Sequence, residues 1–217
     1  MSFRASSELI TSYAQSVPGK QNVVRHFALR FDISEPLTPK LEGAYNVPGY
    51  VIDFDAKSDA LVTLDHQPTQ TKVSTLDDCY SLGIGRWFEN ETGICHGYET
   101  RLQRVVLAST GAQVTGTLRN DDLAWSTPRR AEGRLFFGGY YYRGYGGGLV
   151  DGDYYGGWSW SSLDVTVVNS ETLAYSKLKA PGVWNSLPSG QSLILAPSAG
   201  QPLTVIDARR TRAVCRP

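Results

Sequence analysis

Residues Leu29 to Asp65 read LRFDISEPLTPKLEGAYNVPGYVIDFDAKSDALVTLD and hold four short β-type runs, each bounded by a turn signal. Leu29 to Ile33 ends at the Ser34-Glu35-Pro36 to Pro39 turn, and Lys40 to Tyr45 ends at Pro48-Gly49. Tyr50 to Phe54 and Ala60 to Leu64 follow, split by Lys57-Ser58-Asp59. Val, Ile, Phe and Tyr suit a pleated, half-buried surface, while Pro, Gly, Asp and Ser supply reversals. The stretch therefore predicts a four-stranded antiparallel unit.

The remainder reads as worn copies of that unit. An apolar pair closes one strand at Leu9-Ile10, Leu61-Val62, Leu135-Phe136 and Leu193-Ile194. Each pair leads through a loop to a second apolar run: Leu29 to Asp32, Val105 to Ala108, Val165 to Asn169 and Leu203 to Asp207. The ends of these runs, at 32, 108, 169 and 207, differ by 76, 61 and 38. Taking out the extra material at about 68–100 and 143–161 leaves roughly 40 residues per copy, the length of a four-stranded propeller blade. No sustained helical period appears, and the first dozen residues read as strand. An all-β fold is expected, a β-propeller of four-stranded blades, with a two-sheet sandwich as the alternative.

Asp32-Ile33-Ser34-Glu35-Pro36-Leu37-Thr38-Pro39, followed by Leu41, Gly43 and Val47-Pro48-Gly49, resembles the D-[IV]-S-x-P-x-x-P repeat of bacterial secreted β-propeller proteins. The resemblance covers about residues 28–67 and elsewhere reduces to spacing. It implies a propeller placed outside the cytoplasm, and it brings no catalytic residues. With strands lettered a to d from the axis outward, Tyr50 to Phe54 is an a strand and Lys40 to Tyr45 a d strand. The chain then opens near a b strand, giving about four blades of which the first lacks its innermost strand. That gap, the unpartnered Cys215 and the lack of a signal pattern in MSFRASSELITSYAQ favour part of a larger propeller, with a complete small propeller closed by pairing of the two ends as the alternative.

Composition narrows the function classes. Lys+Arg and Asp+Glu balance at 21 each, which gives no reason to expect a nucleic-acid or anionic-membrane partner. No apolar run approaches the length of a membrane helix. Cys79 and Cys95 lie in one segment separated by turn residues, either as a local disulfide or as two buried thiols, and the pairing suits an oxidising compartment. Asn90-Glu91-Thr92 fits the glycosylation pattern.

Antiparallel alternation sends the b–c and d–a connections to one end of every blade and the others to the opposite end. The long connections, Ala14 to Val24, Pro68 to Thr100 and Gly138 to Ser161, are all of the b–c kind, whereas Asp55 to Asp59, Ser109-Thr110-Gly111 and Ser189-Gly190 are tight turns. Insertions gathered at one end mark a functional face. The Gly138 insertion carries Tyr140, Tyr141, Tyr142, Tyr145, Tyr154, Tyr155, Trp158 and Trp160 among many glycines, a composition suited to ligand recognition or to packing on the blade tops. Asp151-Gly152-Asp153 lacks the further ligands of a calcium loop. His26, His66 and His96 map near the insertion end, where lone strand-end histidines are not expected to hold a metal. No G-x-S-x-G elbow or phosphate-cradling glycine loop appears, and neither a metal nor a cofactor is expected. The resulting expectation is a non-enzymatic binding or scaffold module that offers aromatic loops to a protein or glycan partner. The alternative is a propeller hydrolase or lyase with its site on the same face.

Overall fold

The computed structural model describes residues 2–5, 7–20, 23–82, 86–120, 123, 128–131, 133–137, 140–144, 148–150, 153–155, 158–162, 165–178, 183–189, 192–197, 204–207 and 213–214. Two compact units are present, one formed by 1–124 with 170–174 and the other by 125–169 with 175–217. Both are built from antiparallel strands, and the one helix among the described residues is too short and polar to cross a membrane.

In the first unit, β1 (Ser2–Ala5), β2 (Glu8–Ser16), β3 (Val24–Asp32) and β4 (Lys40–Val47) form a four-stranded meander in chain order. Pro48-Gly49 then turns the chain into β5 (Tyr50–Asp55) and β6 (Ala60–Lys72). The helix α1 (Leu76–Ser81) and β7 (Trp87–Glu89) intervene before β8 (Ile94–Ala108) and β9 (Gly111–Arg119) complete a second meander, with β7 added on β8. In the second unit, β10 (Arg129–Ala131), β11 (Arg134–Phe137), β16 (Val165–Asn169) and β17 (Tyr175–Leu178) form a third meander. Its central connection holds β12 (Tyr140–Gly144), β13 (Gly148–Val150), β14 (Asp153–Tyr155) and β15 (Trp158–Ser162). A fourth meander follows in order: β18 (Val183–Ser189), β19 (Ser192–Pro197), β20 (Thr204–Asp207) and β21 (Ala213–Val214).

The two recurring sequence marks occupy the second and third strands of every meander. Their registers match: Leu9 faces Phe31, Leu61 faces Val105, Leu135 faces Val168, and Leu193 faces Ile206. Cross-strand pairs are the unit of sheet stabilisation, so an apolar pair meeting an apolar run stabilises the same two strands in the first three meanders.

Four expectations are corrected. Leu29 to Asp65 does not form one four-stranded sheet, because its first two strands end one meander and its last two open the next. The first meander does not lack a strand, because Ser2–Ala5 pairs with the start of β2. That segment was unreadable from its composition, since Phe3 is its one large apolar residue. The strand ladder also does not stop at Leu64. It runs on through Pro68, which faces Tyr98, to Lys72 facing Ile94. Beyond Leu64 no β5 residue pairs with β6, so Pro68 lies on an edge, where a missing N–H is tolerated. Finally, the Pro68 to Thr100 insertion contains a helical turn, too short to show a sustained helical period.

In the second and third meanders burial falls toward the last strand. Val51 to Phe54, Ala60 to Leu64, Leu135 to Phe137 and Val165 to Val168 are buried at consecutive positions, so both faces of those strands are covered. By contrast β4, β9 and β17 are largely exposed. Within the first unit, Ile10, Ala28 and Val47 of one sheet pack with Val51, Phe54, Leu61, Val105 and Leu107 of the next. Each such large side chain stabilises the unit by roughly 1.5–3 kcal/mol relative to exposure. Arg30 joins the same two sheets through ion pairs to Glu8, to Glu42 at 3.3 Å and to Asp59 in the β5–β6 turn at 2.8 Å. The Glu8 hydrogen bond, ahead of the Asp59 contacts, raises the Arg30 pKa, so the guanidinium stays charged.

Candidate functional site

In the first unit the β2–β3, β4–β5 and β6–β8 connections leave by one end of the meanders and the tight turns by the other, as alternation requires. The β6–β8 connection is the large one, and it forms a flap standing on the extended β6–β8 ribbon. Thr75 caps α1 by accepting from the Asp78 amide at 3.1 Å, while the Asp78 carboxylate accepts from the Thr75 amide at 3.0 Å. This capping box satisfies two donors that a six-residue helix would otherwise leave unpaired. A disulfide joins Cys79 of α1 to Cys95 of β8, with a Cα separation of 5.2 Å and both residues fully buried. Cys215 lies outside the described residues. Val73 donates to the Gly93 carbonyl at 2.9 Å and Gly93 to the Glu89 carbonyl at 2.9 Å, closing the β7–β8 turn that presents Asn90 to solvent.

Strand pairing sorts the flap's side chains onto two faces. On one, Trp87 faces His96 and Tyr98 follows two positions along β8, opposite Pro68. The Trp87 and His96 rings stack with centroids 3.9 Å apart and planes within 3°. His96 Nε2 lies 3.5 Å from the Glu89 carboxylate. That carboxylate is held below its ordinary range first by the hydrogen bond from Thr92 and then by His96. Trp87 is 53% exposed and Tyr98 50%, so two aromatic rings stand in solvent on a covalently anchored support. Neither was singled out as a ligand residue in the sequence. Parity along a polar ribbon becomes meaningful only once its register is known.

The other flap face is polar. Arg86 lies flat on Gly97, where an added Cβ would come within 2.8 Å of the guanidinium, and its Nη1 donates to Thr69 Oγ1 at 3.3 Å. Glu99 pairs with Arg101 and lies 3.6 Å from Arg119. These contacts, that with Arg101 first, hold Glu99 charged by lowering its pKa.

At the base of the flap Tyr50 sits between His26 and His66, with ring centroids 6.4 and 6.1 Å away. Burial lowers the pKa of both imidazoles against the opposing pull of Asp65, and burial raises that of Tyr50. All three rings are therefore neutral at pH 7. His66 Nδ1 is 3.1 Å from Thr100 Oγ1. His96 is instead engaged by Trp87, so the three histidines do not converge, and among the described residues no group of three or more metal-ligating side chains occurs.

The aromatic insertion of the second unit is a two-part ribbon. β12 pairs with β15, placing Tyr140 opposite Ser162, Tyr142 opposite Trp160 and Gly144 opposite Trp158. β13 pairs with β14, placing Leu149 opposite Tyr154 and Gly148 opposite Tyr155. Positions 140, 142, 158 and 160 consequently share one face of the ribbon, and Tyr141 falls on the other. Tyr145, Asp151 and Gly152 lie outside the described residues, and Asp153 opens β14. A comparison of the chain with protein families, curated proteins and solved structures found no match.

Proposed function

We propose that the protein is a binding or scaffold module of the β-propeller kind. In this reading its four meanders are blades about an axis, and the ends carrying the insertions offer aromatic loops to a glycan or protein partner outside the cytoplasm. The exposed Trp87 and Tyr98 on the disulfide-anchored flap carry the reading, because large rings fixed in solvent bind with little further loss of conformational freedom. The consecutive burial in β5, β6, β11 and β16 against the exposure of β4, β9 and β17 supports a blade arrangement, in which each sheet lies between neighbours. The disulfide supports a place outside the reducing cytosol. The acid shifts agree with binding rather than proton transfer. Asp32, Asp55, Glu89 and Glu99 are all lowered, with local hydrogen bonds as the first cause, and so stay charged at neutral pH.

Glycan-array and partner-pulldown measurements test the proposal. Trp87→Ala with Tyr98→Ala, and separately Tyr154, Tyr155 and Trp158 to alanine, should abolish signals that the native chain gives while the circular dichroism spectrum stays unchanged. Signals insensitive to both sets would remove the aromatic face from the binding role. A circular dichroism spectrum with substantial helix would sink the all-β propeller, and a crystal structure showing two stacked sheets in place of radial blades would replace it with a sandwich.

A further inference from the structure

The aromatic face of the flap does not end at Tyr98. Cross-strand partners share a face, so the face of Trp87 and His96 continues through Gln70, through Tyr98 with Pro68, and through Thr100 with His66. It reaches Tyr50, which pairs with Leu64 and is 37% exposed, its ring 6.1 Å from that of His66. The sheet order β5-β6-β8-β7 makes this file of rings cross the sheet obliquely, from Trp87 on β7 to Tyr50 on β5. From the level of His96 to that of Leu102, which faces Leu64, it covers about 20 Å along the strands. Trp87 and Tyr98 are diagonal neighbours on adjacent strands, about 7–8 Å apart at the backbone.

Two properties of the file narrow its occupant. Among the described residues, no carboxylate, ammonium or guanidinium stands on this face between Trp87 and Tyr50. Glu89 and Lys72 share it only at the flap tip, on either side of Ile94, so charge complementarity asks for a neutral ligand. The file is also narrow. A strip of that length and about two strands wide covers on the order of 200 Å², well short of the roughly 800 Å² that each partner of a stable protein interface contributes. A linear saccharide meets both conditions. Each pyranose ring stacks its apolar C–H face on an aromatic ring, while the hydroxyls on its rim exchange hydrogen bonds with groups such as the exposed Gln70 amide and the Glu89 carboxylate. A chain with equatorial linkages is flat and extended, so successive rings can stay on the sheet, whereas an α-linked chain coils away from it.

We propose that the β6–β8 ribbon and its flap bind a neutral, extended polysaccharide chain lengthwise, ring over ring from Trp87 through Tyr98 to Tyr50. Gln70 and Glu89 hold sugar hydroxyls at the flap end. The assignment rests on the reading of the flap as a binding element, and it selects a neutral glycan over a protein as the occupant.

Isothermal titration of the full chain with cellohexaose and xylohexaose tests it, beside cellobiose, xylobiose and the coiled maltohexaose. At least one flat hexamer should bind, with an affinity unchanged by added salt. Its dimer should bind about tenfold more weakly or worse, because a dimer covers only part of the file. Trp87→Ala and Tyr98→Ala should each cost the hexamer roughly tenfold, as one stacked ring is lost. Tyr50→Leu should weaken the hexamer and spare the dimer. Because Tyr50 packs between two histidines, the exposed Trp87 and Tyr98 variants and the length series decide the matter if the Tyr50 variant fails to fold. Equal affinity for dimer and hexamer would overturn lengthwise binding, and maltohexaose binding as tightly as the flat hexamers would overturn the extended chain. Hexamer affinity unmoved in both the Trp87 and Tyr98 variants would place the sugar elsewhere and overturn the strip. Binding of neither flat hexamer would sink the proposal. A protein partner then captured by the native chain, and lost in Trp87→Ala with Tyr98→Ala, would leave the flap standing as a binding element, whereas no partner of either kind would remove that reading as well.

Discussion

Gly49 shows how much one residue carries at the junction of the first two meanders. Its φ is +76°, and a Cβ there would overlap the Leu64 carbonyl on the neighbouring strand. Left-handed backbone costs an L-residue about 1–2 kcal/mol, and the overlap adds to it. Gly49→Ala should therefore lower stability by about 2 kcal/mol or more in urea unfolding. A loss below about 0.5 kcal/mol would mean that the turn relaxes freely. His26 and His66 nearby set a pH dependence. Burial lowers their folded-state pKa below 6.5, so the unfolded chain binds more protons as pH falls past that value. Their contribution is whole above about pH 6.5 and is lost as pH falls toward the folded-state values. The urea midpoint should drop between pH 7.5 and pH 5, and His66→Gln should flatten the drop. The lowered carboxylates Asp55, Glu89 and Glu99 act at more acidic pH, below their ordinary values near 4. An unaltered profile in the variant would assign the slope to other groups.

Among the elements, the flap depends most on a covalent bond. Six residues cannot sustain a helix alone, because nucleation costs more than one turn of hydrogen bonds returns. The capping box closes its first turn, and the Cys79–Cys95 bridge holds it to β8. The chain-entropy relation gives about 3 kcal/mol for a loop of this length. In the Cys79→Ala, Cys95→Ala protein, amide exchange across residues 73–93 should accelerate while β2, β3, β5 and β6 keep their protection. Uniform acceleration would instead make the flap part of the cooperative core. The helix was legible in a different signal from the one sought. Thr75-Leu76-Asp77-Asp78 is a capping-box spacing, whereas amphipathic periodicity needs more turns than the flap contains. The extended ladder was not legible, because Asp65 to Lys72 is polar apart from Pro68, a strand breaker, and its strand state comes from pairing with β8.

For the whole molecule, a single compact body of this length has a radius of gyration of about 17 Å. Small-angle scattering near that value would support one domain, as the proposed blades about one axis require, whereas a clearly larger value would describe two units that tumble apart. The all-β character, the recurrence of two apolar marks in each meander and the place of the long insertions in the strand order were already set by the sequence. These follow from local composition: branched and aromatic residues favour extended backbone, and proline, glycine and aspartate interrupt it. Tertiary structure alone decided that Ser2–Ala5 is a strand, that Trp87 and Tyr98 share an exposed face, and that this face runs on to Tyr50. Those outcomes depend on register between distant segments, and slipping a strand by one residue would send every one of its side chains to the opposite face.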